Sequence, residues 1–532
     1  MRHIAAVIWI AFIGTAIADA CIAAESCPDG RDTILSNGTI LTMDAQDRTV
    51  NSVRIHGQRI IAAGAAVDRS EPCVQVIDLK GRTVIPGLID SHTHFVRTAQ
   101  APGPFIAGLE AAASIRELQD ALANAARKAE PGEWLAAIGG FTPVQFRERR
   151  LPTREELSQA VPDHPVYMQV GYSTRGITND AGIRVLEAAG IHVTADGAIA
   201  PDGAGLTHVL RSTNEERMKR RFPDYMNYAI SLGLTTVVDQ ACCDWLGAHL
   251  TAADRPNLRI AEYFWRAGKL PLRLRIQYDH RDIRDQGDIH SLTARLANAT
   301  YGLGDDMYKP VRLGEQVIAA GATDQEVLEV FQRAADAGWP LSQHTIKQDE
   351  IERYTRIMEQ VAARTPVRPL RWTLEHVFEI TPDQIKRLNA IGVSVRVQDH
   401  DYIRNDYSSW NVGPPFRTLL ASGIRMGAGT DGGVVGPLNP WLSLYYMVTG
   451  KDAGGDLINK DQQIGRKQAL RLYTAENAWF NFEEHDYGSI EPGKFADLVV
   501  LDRPYLDVAD EEIRHIRSVL TMVGGKVVFA VQ

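Results

Sequence analysis

Strand-like and helix-like segments alternate through the long middle of this 532-residue chain, from about residue 86 to about residue 485. Short apolar runs rich in β-branched residues predict buried strands at residues 235–239, 272–276, 341–344, 372–376, 393–398 and 426–431. Amphipathic segments predict helices at residues 114–128, 324–337 and 382–391. Repeated alternation over this length favours an α/β fold, a parallel (β/α)8 TIM barrel, over an open sheet.

Both ends of the chain differ from the middle and consist of short β-rich runs separated by turn residues. Near the start, Asn37-Gly38 and His56-Gly57 lie between such runs and predict hairpins; near the end, Gly524-Gly525 separates two more runs. We therefore predict a small composite β-sandwich formed by residues 21–85 and 486–532. The barrel would occupy residues 86–485, with an insertion near residues 97–225, because that segment is longer than a regular strand–helix unit.

The first residues have the pattern of an export signal. Met1-Arg2-His3 precedes a continuous apolar run from Ile4 to Ala18, and Ala18-Asp19-Ala20 resembles a cleavage site, so residues 1–20 are predicted to be a signal peptide. The protein is then expected to be periplasmic or secreted. Lipidation at Cys21 ranks lower, because the large aliphatic residue expected three places before a lipidated cysteine is missing. The apolar run is shorter than a spanning helix requires, so no stable membrane span is expected after processing.

Charge and cysteine content limit the function classes further. A net charge of −9 gives no basic footprint, so nucleic-acid binding is not expected.

In an exported protein Cys27 and Cys73 could pair, or both could remain thiols, and their spacing does not decide between these alternatives. The adjacent Cys242 and Cys243 are poorly placed to bond each other. None of the five cysteines has metal-finger spacing, and an oligomer is compatible with the sequence.

Two histidines one residue apart follow the apolar run that opens the predicted barrel. The run Val84 to Ile89 leads through Asp90-Ser91 into His92-Thr93-His94. Side chains two residues apart in a strand point to the same side, so His92 and His94 would project together. Neutral imidazoles in this arrangement chelate divalent transition metals. The alternative is that they are two ordinary histidines on a half-buried strand.

Further metal-competent residues end other predicted strands. His344, His376 and Asp431 each stand at the end of a strand, as His92 and His94 do. In a parallel barrel the carboxyl ends of the strands converge on one face, where active sites are built. Four histidines and one aspartate in these positions predict a metal site with one or two divalent ions, which we expect to be zinc.

Together these motifs resemble the amidohydrolase superfamily and, within it, the YtcJ-like branch that includes N-substituted formamide deformylases. The matching residues are Pro86-Gly87-Leu88-Ile89-Asp90-Ser91-His92-Thr93-His94, His344, Glu375-His376, Gly429-Thr430-Asp431, residues 469–474 and residues 488–498. The resemblance implies a TIM barrel with a composite β-sandwich. It also implies that His92 and His94 lie on the first strand, His344 on the fifth, His376 on the sixth and Asp431 on the eighth.

The fourth strand departs from the superfamily pattern. Many members carry a carbamylated lysine or a glutamate there, which bridges two metal ions. In residues 308–318 no lysine lies within the strand proper, so Glu315 is the candidate bridging ligand and Lys309 the weaker one. In the alternative, Glu315 is a salt-bridging residue and the site holds one ion. Residues 171–179 also lack a histidine that many relatives carry.

The predicted ligands imply hydrolysis by an activated water. Asp431 would accept the proton of that water and pass it to the leaving nitrogen. The metal, or a neighbouring histidine such as His376, would polarise the scissile carbonyl. His400, after the seventh strand, is a candidate for substrate contact or oxyanion stabilisation, or else a solvent-facing loop residue.

The expected reaction is cleavage of a C–N bond other than a peptide bond, in a small-molecule amide, N-acyl or N-formyl compound. Cyclic-amide hydrolysis and deamination are alternatives within the same fold. Deaminases of this fold place a glutamate three residues after the fifth-strand histidine, where this chain has Lys347, which argues against deamination. An alternative of another class is an exported binding or regulatory protein without catalysis.

Overall fold

The computed structural model describes residues 27, 31–64, 73–98, 101–171, 174–240, 257–278, 289–318, 321–399, 413–433 and 436–531. Within them the strands are β1 (Asp32–Leu41), β2 (Thr49–His56), β3 (Arg59–Ala63), β4 (Val74–Asp78), β5 (Thr83–Pro86), β6 (Leu88–Thr93), β7 (Leu135–Ile138), β8 (Val166–Gln169), β9 (Gly176–Thr178), β10 (Ala198–Ile199), β11 (Leu234–Asp239), β12 (Arg273–Tyr278), β13 (Tyr308–Leu313), β14 (Ser342–Thr345), β15 (Thr373–His376), β16 (Ser394–Gln398), β17 (Met426–Gly429), β18 (Leu498–Leu501), β19 (Ser518–Val523) and β20 (Lys526–Ala530).

The helices of the described residues alternate with these strands in the middle of the chain. They are α1 (Phe95–Thr98), α2 (Ile115–Ala126), α3 (Arg154–Ala160), α4 (Asp180–Ala188), α5 (Ala204–Arg211), α6 (Glu215–Ser231), α7 (Asn257–Arg266), α8 (Ile289–Asn298), α9 (Asp324–Asp336), α10 (Gln348–Ala362), α11 (Pro382–Ile391), α12 (Phe416–Ser422), α13 (Pro440–Thr449), α14 (Arg466–Leu472) and α15 (Ala475–Phe480). Short 3-10 turns span Leu109–Ala111, Pro143–Gln145, Arg368–Leu370 and Asp510–His515.

The middle of the chain contains eight parallel strands in two four-stranded sheets. Their orders are β13-β12-β11-β6 and β14-β15-β16-β17. The edges of the two sheets meet through isolated parallel bridges, Thr93 to Gly432 at one side and Leu313 to Leu341 at the other. Most strand residues are buried, as expected when helices cover the outer face of a parallel sheet. The predicted alternation of parallel strands and helices is confirmed.

Both chain ends contribute to one mixed sheet. Its order is β20-β19-β18-β5-β1-β2-β3, and β4 pairs with β1. The last strand before the metal-ligand segment, β5, pairs with β18 from the far end of the chain. The Gly87 N–H donates to the Asp497 carbonyl at 2.8 Å, and buried Arg273 on β12 bonds the Asp497 carboxylate at 2.8 and 3.0 Å. The sheet from the chain ends therefore holds the start of β6 in place.

Two of the three predicted turns are confirmed, and the third is wrong. His56-Gly57 joins β2 to β3, and Gly524-Gly525 joins β19 to β20. Asn37-Gly38 instead lies inside β1, where the pairing with β2 shifts register and Asn37 has a left-handed φ of 63°. A Cβ on Gly38 would lie 2.6 Å from the Leu79 side chain. The pair therefore forms a bulge that lets β1 continue past a crowded contact.

The predicted insertion carries its own sheet and its own cores. Strands β7 to β10 form a four-stranded sheet in the order β10-β9-β8-β7, and two clusters of buried apolar side chains lie around it. Helix α2 begins as predicted, with the Ser114 hydroxyl accepting from the Glu117 N–H at 3.2 Å. Residues of the predicted insertion thus pack around a sheet of their own.

A disulfide joins Cys27 to Cys73, with the two Cα atoms 5.5 Å apart. It connects a residue upstream of β1 to the residue before β4, two strands that pair in parallel. Of the alternatives left open by the sequence, pairing is the one observed. Cys21, Cys242, Cys243 and the apolar run of residues 4–18 lie outside the described residues. Among the residues described, no helix has the length and apolar character needed to cross a membrane.

Candidate metal centre

The predicted ligands come together at the carboxyl ends of the parallel strands. His92 and His94 stand at the end of β6, His344 lies in β14, and His376 ends β15. Two further residues lie just beyond strands: Glu315 follows β13, and Asp431 follows β17. Ring and carboxylate atoms from these six residues form three groups of potential ligands, each with its atoms within 4.8 Å of one another.

Glu315 lies at the middle of the cluster. Its Oε2 atom is 3.1 Å from His344 Nδ1, 3.3 Å from His376 Nε2 and 3.4 Å from His92 Nε2. Its Oε1 atom is 3.8 Å from His94 Nε2. One carboxylate thus faces all four histidines, with its two oxygens turned to different members.

Asp431 completes the other side of the cluster. Its Oδ1 atom is 3.0 Å from His94 Nε2 and 3.6 Å from His92 Nε2. Ligand atoms of a tetrahedral site with bonds of about 2.1 Å lie about 3.4 Å apart, so these separations suit a shared cation.

The backbone of His376 and Asp431 is left-handed, with φ values of 66° and 52°. Such conformations cost energy and concentrate at functional sites.

The hydrogen bonding of the His92 ring shows whether the cluster suits a metal ion. Its Nδ1–H donates to Glu375 Oε2 at 2.9 Å, which leaves Nε2 with the lone pair. Nε2 is buried, makes no hydrogen bond within the described part of the chain, and faces Glu315 and Asp431. A buried nitrogen lone pair aimed at two carboxylates is costly unless a proton or a metal ion lies between them. The donor set of imidazoles and carboxylates therefore fits a divalent ion.

The ionisation of the cluster residues also favours binding of a cation. Burial favours the uncharged form of Glu315, but the adjacent histidines, His344 first, hold the pKa of this carboxyl well below its usual range. Burial also opposes charge on His92 and His344, yet neighbouring carboxylates, Asp431 and Glu315 at His92 and Glu315 at His344, raise the pKa of both rings. Carboxylates kept ionised by adjacent positive charge are suited to bind a cation in place of those protons.

Glu375 supports His92 from behind and was not given a role by the sequence. Its Oε1 accepts from Arg396 at 2.8 Å (Nε) and 2.5 Å (Nη2), and Arg396 also donates to the Ser91 carbonyl. Burial would raise the pKa of Glu375, but Arg396 and then His92 more than offset this and lower it to about 2. Glu375 is therefore an ionised carboxylate that fixes the tautomer and orientation of a ligand histidine.

We expect Glu375→Gln to weaken metal binding about 10- to 100-fold, because a neutral amide holds the His92 tautomer less firmly. The measurement is competition for zinc with a chelator of known affinity. Glu483→Gln is the matched control, since Glu483 is also buried and pairs with a buried arginine, Arg275, at 2.6 and 2.9 Å. Both variants should lose stability, by about 3 kcal/mol, and only Glu375→Gln should lose metal affinity. Equal affinities in the two variants would contradict the role of Glu375.

The remaining predicted residues lie elsewhere. Lys309, the weaker bridging candidate, donates from Nζ to Glu483 at 2.8 Å and does not join the cluster. Lys347 is exposed at the start of α10. His400 lies outside the described residues, which stop at Asp399 and resume at residue 413, so its role stays a prediction.

A sequence model described as the Amidohydrolase family matches residues 75–529. The chain belongs to that family. This amidohydrolase is 26% identical over 557 residues to the N-substituted formamide deformylase of Arthrobacter pascens, covering 93% of this chain and 98% of the relative. It is 22% identical over 540 residues to the putative amidohydrolase YtcJ of Bacillus subtilis (strain 168), covering 93% and 99%. The predicted YtcJ-like branch is thereby confirmed.

Among solved structures, the zinc complex of atrazine chlorohydrolase TrzN from Arthrobacter aurescens TC1 superposes with a TM-score of 0.53 at 17% identity, covering 94% of this chain and 95% of that one. This likeness concerns the fold and places the amidohydrolase among TIM-barrel-type α/β proteins. By family and relatives it is a metal-dependent hydrolase that acts on carbon–nitrogen bonds other than peptide bonds.

Proposed function

We propose that this amidohydrolase cleaves the C–N bond of a small N-substituted formamide or N-acyl amide. The observation that carries the proposal is the position of the Glu315 carboxylate between four histidines, with Asp431 beside two of them. The relative from Arthrobacter pascens, named as an N-substituted formamide deformylase, favours the formamide class.

The proposed centre holds two divalent ions, zinc by preference. His92, His94, Glu315 and Asp431 would hold one, and Glu315, His344 and His376 the other, with Glu315 shared. Bound divalent ions act as Lewis acids and lower the pKa of water to about 7. The zinc complex of the structural neighbour supports this choice of metal.

The chain supplies proton transfer and orientation. Asp431 accepts a proton as the water oxygen bonds to the amide carbon, and it returns that proton to the nitrogen as the C–N bond breaks. The products are a carboxylic acid, formic acid for a formamide, and an amine. His376 helps to polarise the carbonyl, and Glu375 keeps His92 in one tautomer. His400 remains a candidate for contact with the substrate.

Metal analysis and a substrate panel test the proposal together. The purified protein should contain zinc and hydrolyse N-alkylformamides faster than N-acetyl amines, cyclic amides or ring amines. Chelation should abolish the activity, and added zinc should restore it. A protein that hydrolyses ring amines and no amide would favour deamination instead. One that binds no metal and turns over none of these compounds would favour the non-catalytic binding protein.

We also propose that the two parallel sheets close into one eight-stranded barrel. At one side the Asp431 N–H donates to the His92 carbonyl and the His94 N–H to the Gly432 carbonyl, both at 2.8 Å. At the other side the Leu313 N–H donates to the Pro340 carbonyl at 3.0 Å. The sheet from both chain ends would then form the composite β-sandwich beside it.

Export is the last part of the proposal. The apolar run of residues 4–18 and the disulfide between Cys27 and Cys73 support it, because disulfides persist in oxidising compartments. Intact mass of the protein recovered from the periplasm or medium should correspond to a chain that begins at Cys21. A full-length mass, or recovery in the cytosol alone, would contradict it.

A further inference from the structure

A cavity lies between the insertion, helix α6 and the loop that follows Asp431. Its volume is about 100 Å³. Its walls come from residues 98 and 101–110, residues 136–140, residues 221–228, and residues 433 and 436–438. An apolar cavity of roughly 150 Å³ binds benzene, so this smaller volume suits a single ring or a branched alkyl group.

Aromatic side chains form much of the wall. The Phe105 ring lies 5.0 Å from Tyr225 and 4.9 Å from Tyr228, measured between ring centroids. Phe222 and Leu438 are buried beside them. Tilted and edge-on rings at these distances offer favourable contacts to a further ring or branched alkyl group.

The polar groups of the wall indicate an uncharged occupant. Arg221 is neutralised by Glu133, to which it donates at 2.6 Å, and Glu110 accepts from the Tyr228 hydroxyl. Burial raises the pKa of Glu110. The buried hydroxyls of Tyr225 and Thr98 interact with each other and have no further hydrogen-bond partner within the described residues. They could serve one neutral polar group of a ligand.

The cavity and the metal centre share two stretches of backbone. Gly433 is two residues beyond Asp431, and a Cβ on it would lie 2.8 Å from the His94 carbonyl oxygen and 2.4 Å from Thr98 Oγ1. From the insertion, a Cβ on Gly140 would lie 3.4 Å from the Gly436 carbonyl oxygen. Residues that follow His94 and Asp431 in the chain, Thr98 and Gly433, therefore form part of the cavity wall.

We propose that this cavity receives the uncharged aromatic or branched aliphatic N-substituent of the amide substrate. The inference rests on the proposed function and makes the insertion, together with α6 and the loop after Asp431, the part of the chain that selects the substrate.

A cavity-filling variant tests it. Ala137 is buried and lines the cavity, so a phenylalanine there should fill it. Ala137→Phe should lower kcat/KM for N-(2-phenylethyl)formamide about 30-fold, which corresponds to losing the favourable burial of one phenyl group. For N-methylformamide the change should stay below about threefold. Ala188→Phe, at an exposed position on α4 of the same insertion, is the control and should alter neither substrate. Equal losses for both substrates in Ala137→Phe would overturn the proposal.

Binding of benzyl alcohol separates this inference from the proposed reaction, since benzyl alcohol has no bond to hydrolyse. It should bind the metal-loaded protein and compete with N-(2-phenylethyl)formamide. The double variant Tyr225→Phe/Thr98→Val should bind it at least fivefold more weakly. This variant preserves side-chain volume, so it tests the cavity even if Ala137→Phe fails to fold. Binding without competition, or unchanged in that double variant, would overturn the inference. If neither formamide is hydrolysed, the proposed function fails while the benzyl alcohol measurement still decides the cavity.

Discussion

Replacement of Asp431 by asparagine is expected to leave metal bound and to lower kcat about 1000-fold, within the range typical of a lost general base. The asparagine oxygen can still face the cluster as Asp431 Oδ1 does, 3.0 Å from His94 Nε2, but an amide cannot accept the proton of the attacking water. Metal content by mass spectrometry and steady-state hydrolysis of a formamide measure the two effects on one sample.

Asp497→Asn is the control for the loss of a buried carboxylate. Asp497 pairs with Arg273 and lies where the end sheet meets the barrel strands, so its replacement should lower stability and leave turnover by the folded protein unchanged. An Asp431→Asn variant with near-normal kcat would refute the proton-transfer role. One that has lost all metal would make Asp431 primarily a ligand.

The second large effect concerns the number of ions. We expect two zinc ions per chain, and we expect Glu315→Gln to retain at most one, with affinity for the other lowered at least about 100-fold. An amide offers one weakly basic oxygen, whereas the Glu315 carboxylate presents Oε2 to His344, His376 and His92 and Oε1 to His94. Metal analysis after dialysis against graded zinc concentrations measures both the number and the affinity.

Lys309→Gln provides the matched comparison, because Lys309 is the other residue of this strand that the family pattern suggests as a bridge. Its Nζ atom is engaged by Glu483 instead, so the variant should keep both ions. A wild-type protein that saturates with one ion would refute the shared-ligand role of Glu315. So would a Glu315→Gln variant with two tightly bound ions.

The strand ends were predictable because burial leaves a strong trace in sequence. Residues 394–398 and 426–429, for example, are strands within the predicted segments, and their apolar residues mark them without knowledge of partners. Once parallel strands are expected, convergence of His344, His376 and Asp431 follows from geometry alone. Glu315, two residues beyond the end of β13, was instead chosen from the resemblance to the superfamily, whose members carry a bridging ligand on the fourth strand.

The support behind the ligands was not predictable, since it depends on register between strands. Glu375 and Arg396 are directly paired across β15 and β16, and only that pairing makes Glu375 an ionised partner for His92. The prediction of a hairpin at Asn37-Gly38 failed for a related reason. The same dipeptide forms a hairpin or a bulge according to whether β1 finds further partners, here β4 and β5. Charged residues inside buried strands were the available signal for Glu375 and Arg396.

The pairing of β5 with β18 has a consequence for the order of events during synthesis. The strand that carries His92, β6, follows β5 directly in the chain, and His94 comes just after it. However, β5 pairs with β18, residues 498–501, which leave the ribosome more than 400 residues later. Domains generally fold as units once their residues are available. The metal centre should therefore mature after translation is complete, so a chain passed unfolded through an export channel would acquire its ions in the compartment where it works.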